Sequence, residues 1–140
     1  MRRWGVYIAW VIATFGSLIS LYLSDFKHLD PCHLCWYQRI CLFPLVIILA
    51  IALWRGFYDI TIYIIPQVII GLLLALYHTA IQEIPGWYPI EICGAGPSCS
   101  DRLAIIGPIT IPMLSALGFL TIAFFLFLSL VSKNRAPKNN

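Results

Sequence analysis

The chain has 140 residues, 61% of them apolar and 11% charged, with a net charge of +3 and a mean hydropathy of +0.88. A soluble domain carries charge on about a quarter of its residues, so composition excludes a soluble globule; it gives no support to a nucleic-acid binder either, because the cations flank apolar runs and form no patch. A membrane-spanning helix takes about 20 residues, so four spans fit, with short loops, in a single membrane domain over residues 1–140.

Met1-Arg2-Arg3 leads into an apolar run over about 4–23. A secretory signal also begins with basic residues before an apolar run. This run is longer than a usual signal core and no Ala-x-Ala site follows, so it is expected to stay as span 1. A polar loop over 24–33 holds Asp25, Lys27, His28 and Asp30. Span 2 is expected over about 34–54 with Pro44 inside it, where the missing N–H and the crowded Ile40 carbonyl predict a kink. Arg55-Gly56-Phe57-Tyr58-Asp59 reads as a tight turn, and span 3 as about 60–81, with Pro66 early and His78 near the far end. The long loop over 82–105 carries Cys93 and Cys99. Its Ile84-Pro85-Gly86-Trp87-Tyr88-Pro89-Ile90 stretch suits the headgroup level, where amphipathic rings are favoured. Lying there, it would bring Cys93 towards the Cys32–Cys35 end. Span 4 is expected over about 106–131, tolerating Pro108 and Pro112 near its start, and a polar tail over 132–140 ends the chain.

Lys and Arg resist translocation while Asp and Glu count little. Arg2, Arg3, Arg55, Lys133, Arg135 and Lys138 fall on one side of the spans, and Lys27 and Arg102 on the other. The expected fold class is therefore an all-α integral membrane protein: a four-transmembrane-helix bundle with both termini cytoplasmic and two outer cysteine-bearing segments.

The cysteines fall as Cys32-x-x-Cys35, Cys41 and Cys93-x5-Cys99. On an outer face disulfides form and persist, so two loop staples are one reading. A staple that closes only two intervening residues constrains little of the unfolded chain. Cys-x-x-Cys at a helix start is better suited to redox exchange, because the helix N-terminus favours a thiolate. Position marks Cys35 as that thiolate, at the start of span 2. Arg39 lies four residues on, on the same helix face and one turn deeper. A cation inside a span is costly, and it either snorkels outward or serves a function. Pairing with the Cys35 thiolate, or with an oxygen of a bound electron acceptor, accounts for Arg39 better than snorkelling. His78 lies at a similar depth on span 3, so the two could line one pocket, although a helix-end histidine is more often an interfacial polar residue. A zinc site built from the four thiolates is an alternative, weakened by the loose Cys-x5-Cys spacing; no metal site is assigned. Cys41 is off the Arg39 face and reads as apolar filler.

Cys32-His33-Leu34-Cys35-Trp36-Tyr37-Gln38-Arg39, Tyr77-His78-Thr79 and the Cys93 and Cys99 pair, set among four short spans, resemble the DsbB family of quinone-linked disulfide-bond formation proteins, most of all its compact BdbC members. The resemblance covers nearly the whole chain. It implies that Cys93–Cys99 is the disulfide attacked by an extracytoplasmic thioredoxin-like thiol oxidase of DsbA or BdbD type. It implies further that Cys32–Cys35 re-oxidises that pair, that Cys35 delivers the electrons to a membrane quinone (menaquinone or ubiquinone) beside Arg39, and that His78 lies near the quinone. The site expected from it is catalytic Cys32, Cys35, Cys93 and Cys99 with cofactor-binding Arg39 and His78, in a multi-pass protein of the bacterial cell membrane. Two features depart from the pattern: the Cys93–Cys99 interval is short beside the longest members, and Gln38 stands where some carry Glu. A vitamin K epoxide reductase-like quinone reductase is a rival within enzymes, but that family places its active Cys-x-x-Cys in the last helix of the core. A disulfide-stapled or metal-binding scaffold is the rival outside enzymes, and it gives no reason for a buried arginine beside a thiol.

Overall fold

A computed structural model describes residues 2–26, 28, 32–84, 86–87 and 104–135. Four long helices dominate: α1 (Arg2–Asp25), α2 (His33–Arg55), α3 (Thr61–Glu83) and α4 (Ile111–Arg135). All four are long and apolar enough to cross a membrane. Helix α1 packs on α2 and α4, and α3 packs on the same two, so each helix touches its chain neighbours and the first closes on the last. This is the four-helix membrane bundle that composition and span counting predict.

The polarity of the bundle is reversed relative to a soluble protein. Large apolar side chains such as Phe15, Ile47, Trp54, Tyr63, Leu73 and Phe127 face outward, whereas Gln38, His78, Gln82 and Ser129 are buried. Outward apolar side chains suit a hydrocarbon solvent, and interior polar groups can then be satisfied only by one another. The buried stripes explain the packing. On α2 they fall at Leu34, Gln38, Cys41, Leu45, Leu49 and Ala52, and on α3 at Ile64, Val68, Gly71, Ala75, His78 and Gln82. Steps of three and four average 3.6 on both helices, the period of the α-helix itself, so each keeps one face turned to the bundle. With lipid on the outside, burial of apolar area drives little association, so close approach and hydrogen bonds hold the helices together.

Small residues permit that approach. The buried face of α1 is Gly5, Val6, Ala9, Ala13 and Ser17. A Cβ on Gly5 would stand 2.8 Å from the Phe125 carbonyl oxygen of α4, and one on Gly71 of α3 would stand 2.4 Å from the Phe119 ring. Pro44 sits inside α2 without ending it. Neighbouring helices donate to α2 carbonyls on either side of it: Gln67 Nε2 to the Cys41 carbonyl at 2.8 Å, and Trp10 Nε1 to that of Val46 at 3.1 Å.

One end of the bundle is pinned by charge. A single 3₁₀ turn, Tyr58–Ile60, joins α2 to α3 and carries Asp59. Asp59 accepts hydrogen bonds from Arg2 at the start of α1 and from Lys133 near the end of α4, the latter at 2.6 Å. The α1–α2 and α3–α4 connections therefore lie at the opposite end. There the sequence places the start of the last span near Ile106, but α4 begins at Ile111. Residues before it form a small antiparallel hairpin, β1 (Ala104–Ile106) with β2 (Ile109–Thr110), around a Gly107-Pro108 turn. Pro108 cannot donate a backbone N–H and suits a turn better than a helix interior. In the preceding loop, Trp87 folds back against Tyr77 of α3, ring centroids 6.1 Å apart.

Candidate redox site at the α2 N-terminus

The sequence turns from extended chain to helix at Cys32. Its backbone is extended (φ −68, ψ 168) and its carbonyl accepts the first helical bond, from the Trp36 N–H at 3.1 Å. Cys32 is thus the N-cap of α2, where serine or aspartate would ordinarily satisfy free N–H groups; its sulfur makes no such cap bond. Leu34 and Cys32 are seated against Ile81 of α3, with Tyr77 and Leu74 alongside, which fixes the start of α2 on its neighbour.

This seating brings the sulfurs into register. Cys32 and Cys35 are free thiols with their Sγ atoms 3.2 Å apart. Cys32 is buried, and His78 Nε2 lies 3.7 Å from its sulfur. The Cys35 thiol first, and then the His78 ring, hold the Cys32 thiol well below the usual thiol range, against burial that pushes it up. Position alone marks Cys35 as the thiolate. In the structure the stabilising neighbours gather on Cys32, because the cap residue faces both the Cys35 thiol and α3. As they stand, the two sulfurs are closer than the about 3.8 Å that two thiolates on one tetrahedral zinc require. Their spacing suits thiol–disulfide exchange instead, even though Sγ, Sγ and a ring nitrogen of Cys32, Cys35 and His78 all lie within 4.8 Å of one another.

His78 is 2% exposed, and both edges of its ring are occupied. The Gln38 amide nitrogen lies 3.2 Å from Nδ1, and the Gln82 amide nitrogen 3.3 Å from Nε2. Ser115 of α4 donates to Gln38 Oε1 at 2.7 Å. Three helices therefore contribute to one buried hydrogen-bonded chain.

Beside it opens a cavity of about 650 Å³. Cys32, Cys35, Gln38, Arg39 and His78 lie on its wall, and the remainder is largely apolar, including Phe15 and Ile19 of α1, Leu42 of α2 and Leu117 of α4. Arg39 is half-buried. Its Nε donates to Ser20 Oγ and a terminal nitrogen to the Ser20 carbonyl, both at 2.8 Å, and its Cζ stands 5.6 Å from the Trp36 ring centre. The guanidinium is thus held against α1 inside the bundle. Cys41, buried in the main core, is outside the cavity lining.

Of the residues singled out from the sequence, Cys32, Cys35, Arg39 and His78 meet around this cavity. Cys93 and Cys99 lie outside the described residues. Ser20, Gln82 and Ser115 escaped the sequence reading. Gln82 carries a signal in hindsight, since it continues the buried stripe of α3; a lone serine on an apolar helix carries none.

Residues 2–129 match the family described as "Disulfide bond formation protein DsbB". A "Probable disulfide formation protein" of Chlamydia trachomatis is 46% identical over 95% of this chain and 97% of its own length. One of Coxiella burnetii is 40% identical over 99% and 96%, and a "Probable disulfide formation protein C 2" of Bacillus anthracis 41% identical over 96% of each. Such similarity runs the length of the bundle and through the cysteine-bearing helix start, and with it the chain belongs to the DsbB family: it is a membrane disulfide oxidoreductase that serves disulfide-bond formation.

Proposed function

We propose that the chain re-oxidises an extracytoplasmic thioredoxin-like thiol oxidase and passes the electrons to a membrane quinone. Both termini are cytoplasmic in this reading, and the Cys32 end of the bundle faces outward in the bacterial cell membrane. The observation that carries it is the Cys32–Cys35 dithiol opening on an apolar cavity that also holds an arginine. About 650 Å³ falls in the range of small-molecule sites. Its apolar wall suits a ring with a lipid tail, and Arg39 with the Ser20 hydroxyl offers donors for carbonyl oxygens.

Cys93 and Cys99 would be the pair that meets the partner protein. Once reduced, a thiolate of that pair attacks the Cys32–Cys35 disulfide, forming one S–S bond as another breaks and releasing the second sulfur as a thiolate. The remaining outer thiolate resolves the mixed disulfide and leaves Cys32 and Cys35 both reduced. Closing that pair again removes two electrons and two protons from its thiols. A quinone in the cavity supplies the two-electron, two-proton sink. Cys35 faces it on the helix turn above Arg39, and Arg39, fixed by Ser20, provides preorganised positive charge where an acceptor oxygen gains electron density. Strong oxidants among thioredoxin-like partners sit at about −120 mV, so the acceptor must be at least comparably oxidising, as quinone kept oxidised by respiration is.

The test is turnover of purified protein with a reduced thioredoxin-like partner. Oxidation is expected only when quinone is added, and Cys35→Ser is expected to abolish it. Full quinone-dependent activity in Cys35→Ser would sink the assignment. Arg39→Ala is expected to raise the apparent KM for quinone; unchanged KM and kcat would reduce Arg39 to a packing residue.

A further inference from the structure

Hydroxyls inside these helices mostly turn back on their own backbone, as serine and threonine do when no other acceptor is near. Thr14 donates to the Trp10 carbonyl, Ser17 to that of Ala13, Thr79 to Ala75 and Thr121 to Leu117, at 2.6 to 2.8 Å. Ser24, half-buried in the last turn of α1 and on the cavity wall, makes no such bond. Among the described residues its hydroxyl has no partner. We propose that Ser24 is a second quinone-binding residue, donating to one carbonyl oxygen of a para-quinone whose other carbonyl oxygen is held by Arg39 with Ser20. The proposal rests on the reading of the cavity as a quinone site.

The Arg39 clamp explains why this hydroxyl is free. The carbonyl to which Ser24 would bond back is that of Ser20, four residues earlier. It already accepts the helical N–H of Ser24 and, at 2.8 Å, a terminal nitrogen of Arg39. A carbonyl oxygen has two lone pairs, so both are taken and the hydroxyl must find its acceptor elsewhere. The contact that fixes the guanidinium on α1 thus also frees a donor one turn nearer the Cys32 end. Arg39 Nε is bonded to Ser20 Oγ at 2.8 Å, which sets the cation at the level of Ser20. Ser24 shares that helix face. Four residues rise about 6 Å along a helix, comparable to the separation of the two oxygens across a para-quinone ring. A molecule with two acceptor oxygens can engage both groups at once, and one with a single oxygen cannot, so Ser24 sharpens selection for quinones. Other polar side chains on the wall are less suited. Gln38 is engaged with His78 and Ser115, and Thr121 with its own helix. His28 is exposed, where water serves it.

Infrared difference spectra of the full chain in detergent test this without turnover, using ubiquinone-1 or menaquinone-1 carbon-13 labelled at one carbonyl at a time. A hydrogen bond lowers a carbonyl stretch, so both carbonyl bands are expected below their positions in an apolar solvent. Ser24→Ala is expected to return one band to its free position, and Arg39→Ala the other. Equilibrium titration with the same quinone should show roughly fivefold weaker binding in Ser24→Ala, the loss of one neutral hydrogen bond. The loss should be larger in Arg39→Ala, where the bond is charge-assisted, and Ser24→Thr should recover binding. Without quinone the melting temperature of Ser24→Ala should not fall, because no bond within the protein is removed; a fall would assign the hydroxyl to the fold and overturn the proposal. Unchanged bands and affinity in Ser24→Ala would overturn it too, as would one band moving in both variants, or the second band moving in His28→Phe instead. Each of these failures leaves the quinone reading standing. Binding of neither quinone to the unaltered chain would sink that reading and this role together.

Discussion

The two ends of the bundle are both tied by polar side chains, and they are tied in opposite ways. At one end Asp59 joins Arg2 and Lys133, all partly exposed, with full charges and with water at hand to replace any partner. At the other, Ser115, Gln38, His78 and Cys32 are joined side chain to side chain and are mostly buried. Charge at a wet boundary is cheap to place and easy to replace. A buried hydrogen-bonded chain is costly to break, because each orphaned group bears its desolvation penalty. The first arrangement holds helix ends together. The second holds the His78 ring beside the Cys32 sulfur.

The contrast predicts that the buried end is the more sensitive to single changes. His78→Phe fills nearly the same space but removes the ring nitrogens that face the Gln38 amide and the Cys32 sulfur. Leaving one buried donor unpaired costs about 1–3 kcal/mol, and losing a positioned proton donor lowers rate by roughly a hundredfold or more. Both effects are expected together, in unfolding of the detergent-solubilised protein and in dithiol oxidation. Near-normal turnover would mean that the ring is only a spacer.

Between the ends, α3 and α4 meet at Gly71, and the effect there should be of intermediate size and confined to stability. A Cβ at 71 would stand 2.4 Å from the Phe119 ring, so Gly71→Leu must push the helices apart. Overpacking of this kind costs about 1–3 kcal/mol. Gly71→Ala combined with Phe119→Ala should recover much of the loss of Gly71→Ala alone, and the coupling from that double-mutant cycle checks the contact. Additive effects would show that the two residues do not meet.

These effects also separate what could be read from the chain from what could not. The bundle follows from arithmetic: four apolar runs of membrane length, with punctuation between them. Cys32, Cys35 and Arg39 could be picked out because i and i+4 share a helix face whatever the tertiary structure. The partner of His78 could not. Depth along α3 set it at the level of Arg39, with which it shares the cavity wall, but not beside the Cys32 sulfur or against a glutamine of α2 that is in turn bonded to a serine of α4. Rotation of one helix about its axis decides such contacts, and a hydropathy pattern this uniform barely records rotation. The short hairpin before α4 was missed for a related reason: Ile105-Ile106 and Ile109 are as apolar as the helix that follows, and only Gly107-Pro108 signals a turn.

The smallest effect is expected at the charged end. Asp59→Asn removes the anion between Arg2 and Lys133 and leaves two cations facing each other, so the sign is destabilising. Water and salt screen that repulsion, and Ser129 still donates to the Arg2 carbonyl at 3.2 Å, so α1 and α4 keep a contact there. The melting temperature should fall by less than in Gly71→Leu, and dithiol oxidation should be unchanged, because no group at the Cys32 site touches this cluster. Salt dependence identifies the origin: raising ionic strength should weaken the unaltered protein slightly and relieve the variant, bringing their melting temperatures together. A gap that persists at high salt would mean that Asp59 acts through the geometry of the 3₁₀ turn rather than through its charge. The two ends would then differ less than their chemistry suggests.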